Sequence, residues 1–288
     1  MSTTPLNYVF FGTPEFSTLV LAELLSKGYS PAFVVTTPDK PAGRGLALTE
    51  SPVKIFATKQ NIPVLQPEKL DAEFVSNLKE KNLDLCIVAA YGKILPESLL
   101  SITKYPPLNV HPSLLPKYRG TSPVESQILA DEKNIGVSVI RMDEKTDHGP
   151  IVAQEKVEIP NWPISRDTLN TILWKKGGAL IAQALPSWID GSLKEIPQNH
   201  DEATPTPRTQ KTDGLVELLD SDRKNYLKYL AYEGWPGTYF FSEKDGKKIR
   251  VIIKKARLLD EKFVIDTVLP EGKKEMGYED FLKGKKVG

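Results

Sequence analysis

"LNYVFFGTPEFSTLVLAELLSKGYSPAFVVTT", Leu6 to Thr37, decides the fold. Its opening, "LNYVFFGTP", is an apolar run that breaks at Gly12, which predicts a strand buried on both faces. "PEFSTLVLAELLSKG" predicts a helix, with Pro14 near its start and Gly28 just past its end. "PAFVVTT" predicts a second apolar strand. The pattern recurs. "SPVKIFATKQN" is a short helix, "IPVLQP" a short strand, "DAEFVSNLKEKN" an amphipathic helix and "LDLCIVAAY" another buried strand. Continuous apolar strands alternating with helices imply a doubly wound, mostly parallel α/β sheet covered on both faces. Ligands of such sheets bind outside the carboxyl ends of the strands. The first turn, "FFGTPEF", lacks Gly-x-Gly-x-x-Gly, so it does not cradle a dinucleotide phosphate.

The chain has 288 residues, 40% hydrophobic and 26% charged, as expected of a soluble globular protein of one large or two medium domains. No apolar run reaches the roughly 18 residues a membrane helix needs. "MSTTPLNYVFFG" lacks the features of an export signal, so the expected setting is the cytoplasm. A monomer is expected. The single cysteine, Cys86, excludes an intramolecular disulfide and lies inside an apolar run, so it reads as core. Three scattered histidines and one cysteine give no zinc pattern, and no metal is expected.

Residues 1–189 read as one domain, closed by a long helix, "SRDTLNTILWKKGGALIAQALPSWIDG". Residues 190–213 are polar and proline-containing and read as a linker. Residues 214–288 begin with a helix and continue as short strands, "GTYFFS", "KKIRVIIKKARLL" and "KFVIDTV", which predicts a small β-barrel of OB-like type. Charge is uneven. From Arg208 onward there are 18 Lys and Arg against 14 Asp and Glu, a net +4, while the remainder is −3 with 20 against 23. "KKIRVIIKKAR", Lys247 to Arg257, holds six bases and no acid, suited either to phosphate or to guarding an exposed strand edge. Thr37 to Lys54, rich in Pro and Gly without apolar period, reads as a loop.

Chemistry points to "PPLNVHPSLLPKYRG", Pro106 to Gly120. In a strand, Asn109 and His111 share a face. An amide donor beside an imidazole is suited to stabilising an oxyanion and moving a proton. "DEKTDHGP" supplies Asp147, a carboxylate that would favour the charged imidazole. His148 beside it reads as a turn residue. No Ser or Cys nucleophile motif is evident.

"NVHPSLLPKYRG" with the downstream "TDHGPIVAQ" resembles the 10-formyltetrahydrofolate-dependent formyltransferases. "FFGTPEFS", "TPDKPAGRG" followed by "SPVK", "WPGTYF" and "PEGKKEMGYEDFLKG" are similar to the branch acting on initiator methionyl-tRNA. The match runs in patches from residue 8 to about residue 284. The resemblance implies a catalytic triad of Asn109, His111 and Asp147. It implies a folate site at Tyr91, Gly92, Ile94 and Leu95 with Ser113, Leu114, Leu115 and Pro116. It implies a tRNA-entering loop with Lys40 and Arg44, where Leu46, Ala47 and Leu48 replace the bases common in that branch. Lys248, Arg250 and Lys254 would lie on one face of a strand and follow the tRNA backbone. The implied reaction moves a formyl group from 10-formyltetrahydrofolate to the methionine amine of initiator methionyl-tRNA. A triad of this kind also serves an enzyme formylating an amino sugar nucleotide or another small amine. The Thr37–Lys54 loop and the basic C-terminal segment speak for the larger substrate.

Overall fold

The computed structural model describes residues 6–42, 47–244 and 246–284. The chain forms β1 (Tyr8–Gly12), α1 (Glu15–Ser26), β2 (Phe33–Val35), β3 (Lys40–Ala42), β4 (Ala47–Thr49), α2 (Pro52–Lys59) and β5 (Val64–Leu65). It continues with α3 (Ala72–Lys79), β6 (Leu85–Ala89), α4 (Glu97–Leu100), β7 (Leu108–His111), β8 (Arg119–Gly120) and α5 (Pro123–Leu129). Then come β9 (Gly136–Arg141), β10 (Ile151–Lys156), α6 (Arg166–Ile189), β11 (Pro205–Thr206) and α7 (Asp222–Ala231). The last elements are β12 (Tyr239–Lys244), β13 (Lys247–Leu259), β14 (Lys262–Pro270), β15 (Met276–Gly277) and α8 (Tyr278–Lys283). Among the described residues no helix is long and apolar enough to cross a membrane.

Seven strands form the main sheet, in the order β10-β9-β7-β6-β1-β2-β5. From β7 to β5 all neighbours are parallel. β9 runs antiparallel to β7, and β10 antiparallel to β9. Strand alternation divides the apolar residues between two layers. Tyr8, Phe10, Leu85, Ile87, Leu108 and Val110 pack on one face with residues of α1 and α6. Val9, Phe11, Cys86 and Val88 pack on the other with Val75, Leu78 and Leu99. Cys86 is fully buried, and burial pushes its thiol well above the ordinary range. The Gly177–Gly178 pair lets α6 approach closely. A Cβ at Gly177 would lie 2.4 Å from Val110 Cγ1, and one at Gly178 would lie 2.7 Å from Glu23 Cβ. Val110 is thereby clamped toward α6, and its neighbours Asn109 and His111 face the opposite side of the sheet.

The chain divides into two compact units. One comprises Met1–Gly120, Asn134–Glu158 and Asn170–Pro205, and contains the main sheet. The other comprises Thr121–Lys133, Ile159–Leu169 and Thr206–Gly288. Its four-stranded antiparallel sheet, β12-β13-β14-β15, matches the expected small, barrel-like β domain in its strands. Val216, Phe240, Val251, Ile253, Val268 and Phe281 form its core. Within this unit Asp131 accepts from Arg223 Nη2 at 2.8 Å and from Trp162 Nε1 at 2.6 Å. The Arg223 bond comes first among the causes that hold this carboxyl down at about 2.

One expectation needs correction. Thr37 to Lys54 is not without regular structure, because β3 and β4 pair antiparallel, Lys40 with Thr49 and Pro41 with Leu48. Strands this short, one carrying a proline, leave no alternation to read. β13 departs from simple alternation past Ile253. The register slips between Ile253 and Lys255, so Lys254 has no partner on β14. A bulge of this kind reverses which residues face the core. Ala256 then takes the inward position that Ile249, Val251 and Ile253 hold before it, and Lys254 and Lys255 both stand exposed between Ile253 and Ala256, so the alternation shared by Lys248, Arg250 and Lys254 breaks just past Lys254.

Candidate active site

The site is assembled at the carboxyl end of β7. Asn109 and His111 point from the same face toward Asp147. Asn109 Nδ2 donates to Asp147 Oδ1 at 3.3 Å. His111 Nδ1 lies 3.5 Å from Asp147 Oδ2, and that oxygen also accepts from the backbone N–H of Gly120 at 2.8 Å. His111 Nε2 lies 2.8 Å from the Tyr118 carbonyl oxygen. A carbonyl only accepts, so Nε2 carries a hydrogen and Nδ1 is the ring atom presented to the carboxylate. The side chains of His111 and Asp147 are 5% and 12% exposed, so their contact is shielded from bulk water. Asp147 sits in the left-handed region, at φ 50°, and Tyr118 likewise at φ 62°. Non-glycine residues hold such angles only where their surroundings fix them.

Those surroundings are hydrogen bonds from segments far away in sequence. The Gln198 amide donates to the carbonyls of Asp147 and Gly149, at 2.9 and 2.6 Å. Its Oε1 accepts from Arg119 Nε and Nη2, at 3.1 and 2.6 Å. Thr204 accepts from the backbone N–H groups of Tyr118, at 2.8 Å, and Arg119, at 2.9 Å. Ile196 exchanges two backbone bonds with Ile151, each of 2.8 Å. The stretch read from sequence as a linker therefore braces both loops of the site. Arg119 Nη2 also donates to His200 Nδ1 at 2.9 Å. The His200 ring stacks on that of His148, with centroids 4.0 Å apart. Burial first, then His148 and Arg119 nearby, holds His200 below the ordinary imidazole range, consistent with a neutral accepting ring. His148 does more than fill a turn, since its Nδ1 meets Asp143 Oδ2 at 2.6 Å.

The residues expected at a folate site divide by exposure. Tyr91, Leu95, Ser113 and Leu115 are buried, Leu114 and Pro116 are half-buried, and Gly92 and Ile94 are exposed. Leu115 clusters with Ile140 and Ile151, and a Cβ at Gly136 would fall 2.4 Å from Leu114 Cδ2. Ser138 organises this segment. Its hydroxyl donates to Ser113 O at 2.7 Å and accepts from Leu115 N and Gln154 Nε2, at 3.1 and 2.9 Å. Burial raises the Tyr91 hydroxyl to about 12, and among the described residues this hydroxyl has no hydrogen-bond partner. A separate cavity of about 510 Å³ is lined by Leu100, Lys104, Arg141, Met142, Lys145 and His148, among others, and by none of the expected folate residues.

Of the expected tRNA contacts, Arg44 lies outside the described residues. Lys40 is exposed on β3. Lys248 Nζ sits 4.4 Å over the Phe241 ring, and the Arg250 guanidinium 3.6 Å over Tyr239. Sequence reading missed Tyr118, Gly120, Arg119 and Gln198 as parts of the site. Tyr118 and Gly120 act through backbone atoms, Gln198 through an amide bound largely to backbone, and Arg119 through a guanidinium that meets that amide, none of which residue type advertises.

Residues 6–185 match the family described as formyl transferase. The methionyl-tRNA formyltransferase of Carboxydothermus hydrogenoformans is 37% identical, over 97% of this chain and 96% of its own length. That of Bacillus pumilus is 37% identical, over 97% and 95%. Among solved structures, the methionyl-tRNA formyltransferase from Clostridium thermocellum shares the fold with a TM-score of 0.61 at 16% identity, covering 92% of this chain and 98% of that one. From its first strand to its last helix, the chain belongs to the methionyl-tRNA formyltransferase family.

Proposed function

We propose that the protein transfers a formyl group from N10 of 10-formyltetrahydrofolate to the methionine amine of initiator methionyl-tRNA. The observation that carries this reading is the meeting of Asn109, His111 and Asp147 at the end of β7. It occurs in a chain that matches methionyl-tRNA formyltransferases along nearly its whole length. The amine attacks the formyl carbon, the bond to N10 breaks, and one proton passes from the amine to N10. Asn109 uses one N–H on Asp147 and has a second to offer the developing oxyanion. Such a donor contributes about 3–4 kcal/mol. His111 moves the proton, directly or through water, in a step typically worth about 10²–10⁴-fold. Asp147 orients the imidazole and balances its charge.

The donor's pterin lies along Tyr91–Pro96 and Ser113–Pro116. Gly92 and Ile94 make contact there, and the buried members support the backbone. Residues 1–189 carry the chemistry, and residues 214–288 grip the tRNA through Lys248 and Arg250. Arg44 and Lys40 guide the aminoacyl end, and Lys254 adds a phosphate contact of its own. The test is to supply 10-formyltetrahydrofolate with methionyl initiator tRNA or with amino sugar nucleotides and analyse the products by mass. Formylmethionyl-tRNA is expected. Formylation of the sugars alone would overturn the reading.

A further inference from the structure

Gln198 is buried, with 6% of its surface exposed, and every polar atom of its amide is used. Two donated bonds end on the carbonyls of Asp147 and Gly149. These bracket the turn that presents the Asp147 carboxylate. The accepting oxygen is held by Arg119, whose neighbours in sequence, Tyr118 and Gly120, contact His111 Nε2 and Asp147 Oδ2. One amide therefore ties together the loop bearing Asp147 and the loop that fixes the far side of His111. Asp147 stands in the left-handed region, so its turn needs bonds of this kind to persist. Gln198 itself is bonded to none of Asn109, His111 or the Asp147 carboxylate.

We propose that Gln198 is a positioning residue for the transfer: by holding the Asp147 and Gly149 carbonyls, it sets where the Asp147 carboxylate meets His111. This rests on the reading of the triad given above. A carboxylate at position 198 separates the two halves of the role. Gln198→Glu keeps the acceptor for Arg119 and removes both donors to the carbonyls. Gln198→Ala removes everything.

Misplacement of a catalytic group by about 1 Å costs roughly 10²-fold in rate. Both variants should therefore lose about 10–10²-fold in kcat, with KM for tRNA and for formyl donor changed less than about threefold. Gln198→Glu, keeping the Arg119 tie as a charged pair, should still fold while melting below the wild type, because two carbonyls lose their buried donors, which keeps the test valid if Gln198→Ala fails to fold. In ¹⁵N-histidine spectra, the ring signals of His111 should move in Gln198→Glu. If wild-type protein is active and Gln198→Glu keeps its kcat, the donors do not position Asp147 and the proposal is overturned. If wild-type protein forms no formylmethionyl-tRNA, the functional reading fails instead, and the spectra decide. Shifted His111 signals then support the proposal, and unmoved signals overturn it.

Discussion

The site around β7 and the outer face of β12 and β13 both carry cations and aromatic or imidazole rings, yet they are built in opposite ways. At β7, each ring nitrogen of His111 has a fixed neighbour, and both Asp147 oxygens are occupied. Two of these four contacts end on backbone atoms, which side-chain motion does not displace. On β13, Lys248 and Arg250 rest on the faces of Phe241 and Tyr239, and the Phe241 ring is 44% exposed. A ring face supports a cation without fixing its direction. The first arrangement suits chemistry in which displacement by a fraction of an ångström matters. The second suits a polyanion met over many shallow contacts.

The strongest way to break this contrast is at His111. His111→Ala should lower the maximal formylation rate by about 10²–10⁴-fold, with tRNA affinity nearly unchanged. Single-turnover kinetics beside a filter-binding titration checks both halves. A variant that loses tRNA binding and keeps its rate would erase the distinction.

Next is Ser138, fully buried, whose hydroxyl serves Ser113, Leu115 and Gln154. Ser138→Ala leaves the buried Leu115 N–H unpaired, which costs about 1–3 kcal/mol. Urea unfolding should register that loss. A shift below about 0.5 kcal/mol would mean the segment relaxes, and that its rigidity is overstated.

The β13 face should respond to salt. Lys248→Ala and Arg250→Ala should each weaken tRNA binding and flatten the dependence of log K on log salt by about one contact's worth. Lys254→Ala should do the same, because it stands exposed at the end of their row, just before the bulge. Affinity measured across a salt series tests this. Slopes unchanged in all three variants would place the tRNA elsewhere.

The smallest effect concerns Asp131. Its carboxyl is held at about 2, below its usual 3.8, first by the bond from Arg223. A depressed folded value means stabilisation present above about pH 4 and lost as the pH falls toward 2. Asp131→Asn should cost about 1 kcal/mol at neutral pH and little at pH 2, so its acid-unfolding curve should be shallower. Parallel curves for the two proteins would show that the Arg223 pair contributes nothing.

The fold was legible because its central strands are apolar on both faces, and only a sheet covered twice accommodates "YVFFG" and "LCIVA". The antiparallel direction of β9 and β10 was not legible, since local sequence encodes a strand but not its heading. Asn109 and His111 were visible because period two puts them on one face. Gln198 was invisible, because it lies 51 and 79 positions from the residues it joins and two of its four bonds end on carbonyls that every residue owns. The bulge at Lys254 was hidden for a related reason. It depends on how β13 and β14 align, and neither strand states that alone.

Cys86, sealed in the strand beside β1, makes the chain its own clock. With one thiol in 288 residues, labelling by a thiol reagent requires the middle of the main sheet to open. The rate of that labelling times the opening of the sheet. A cysteine introduced on the exposed outer face of β12 would react at once and leave Cys86 untouched, so a dye placed there would test, from a single, known address, whether tRNA arrives at this face.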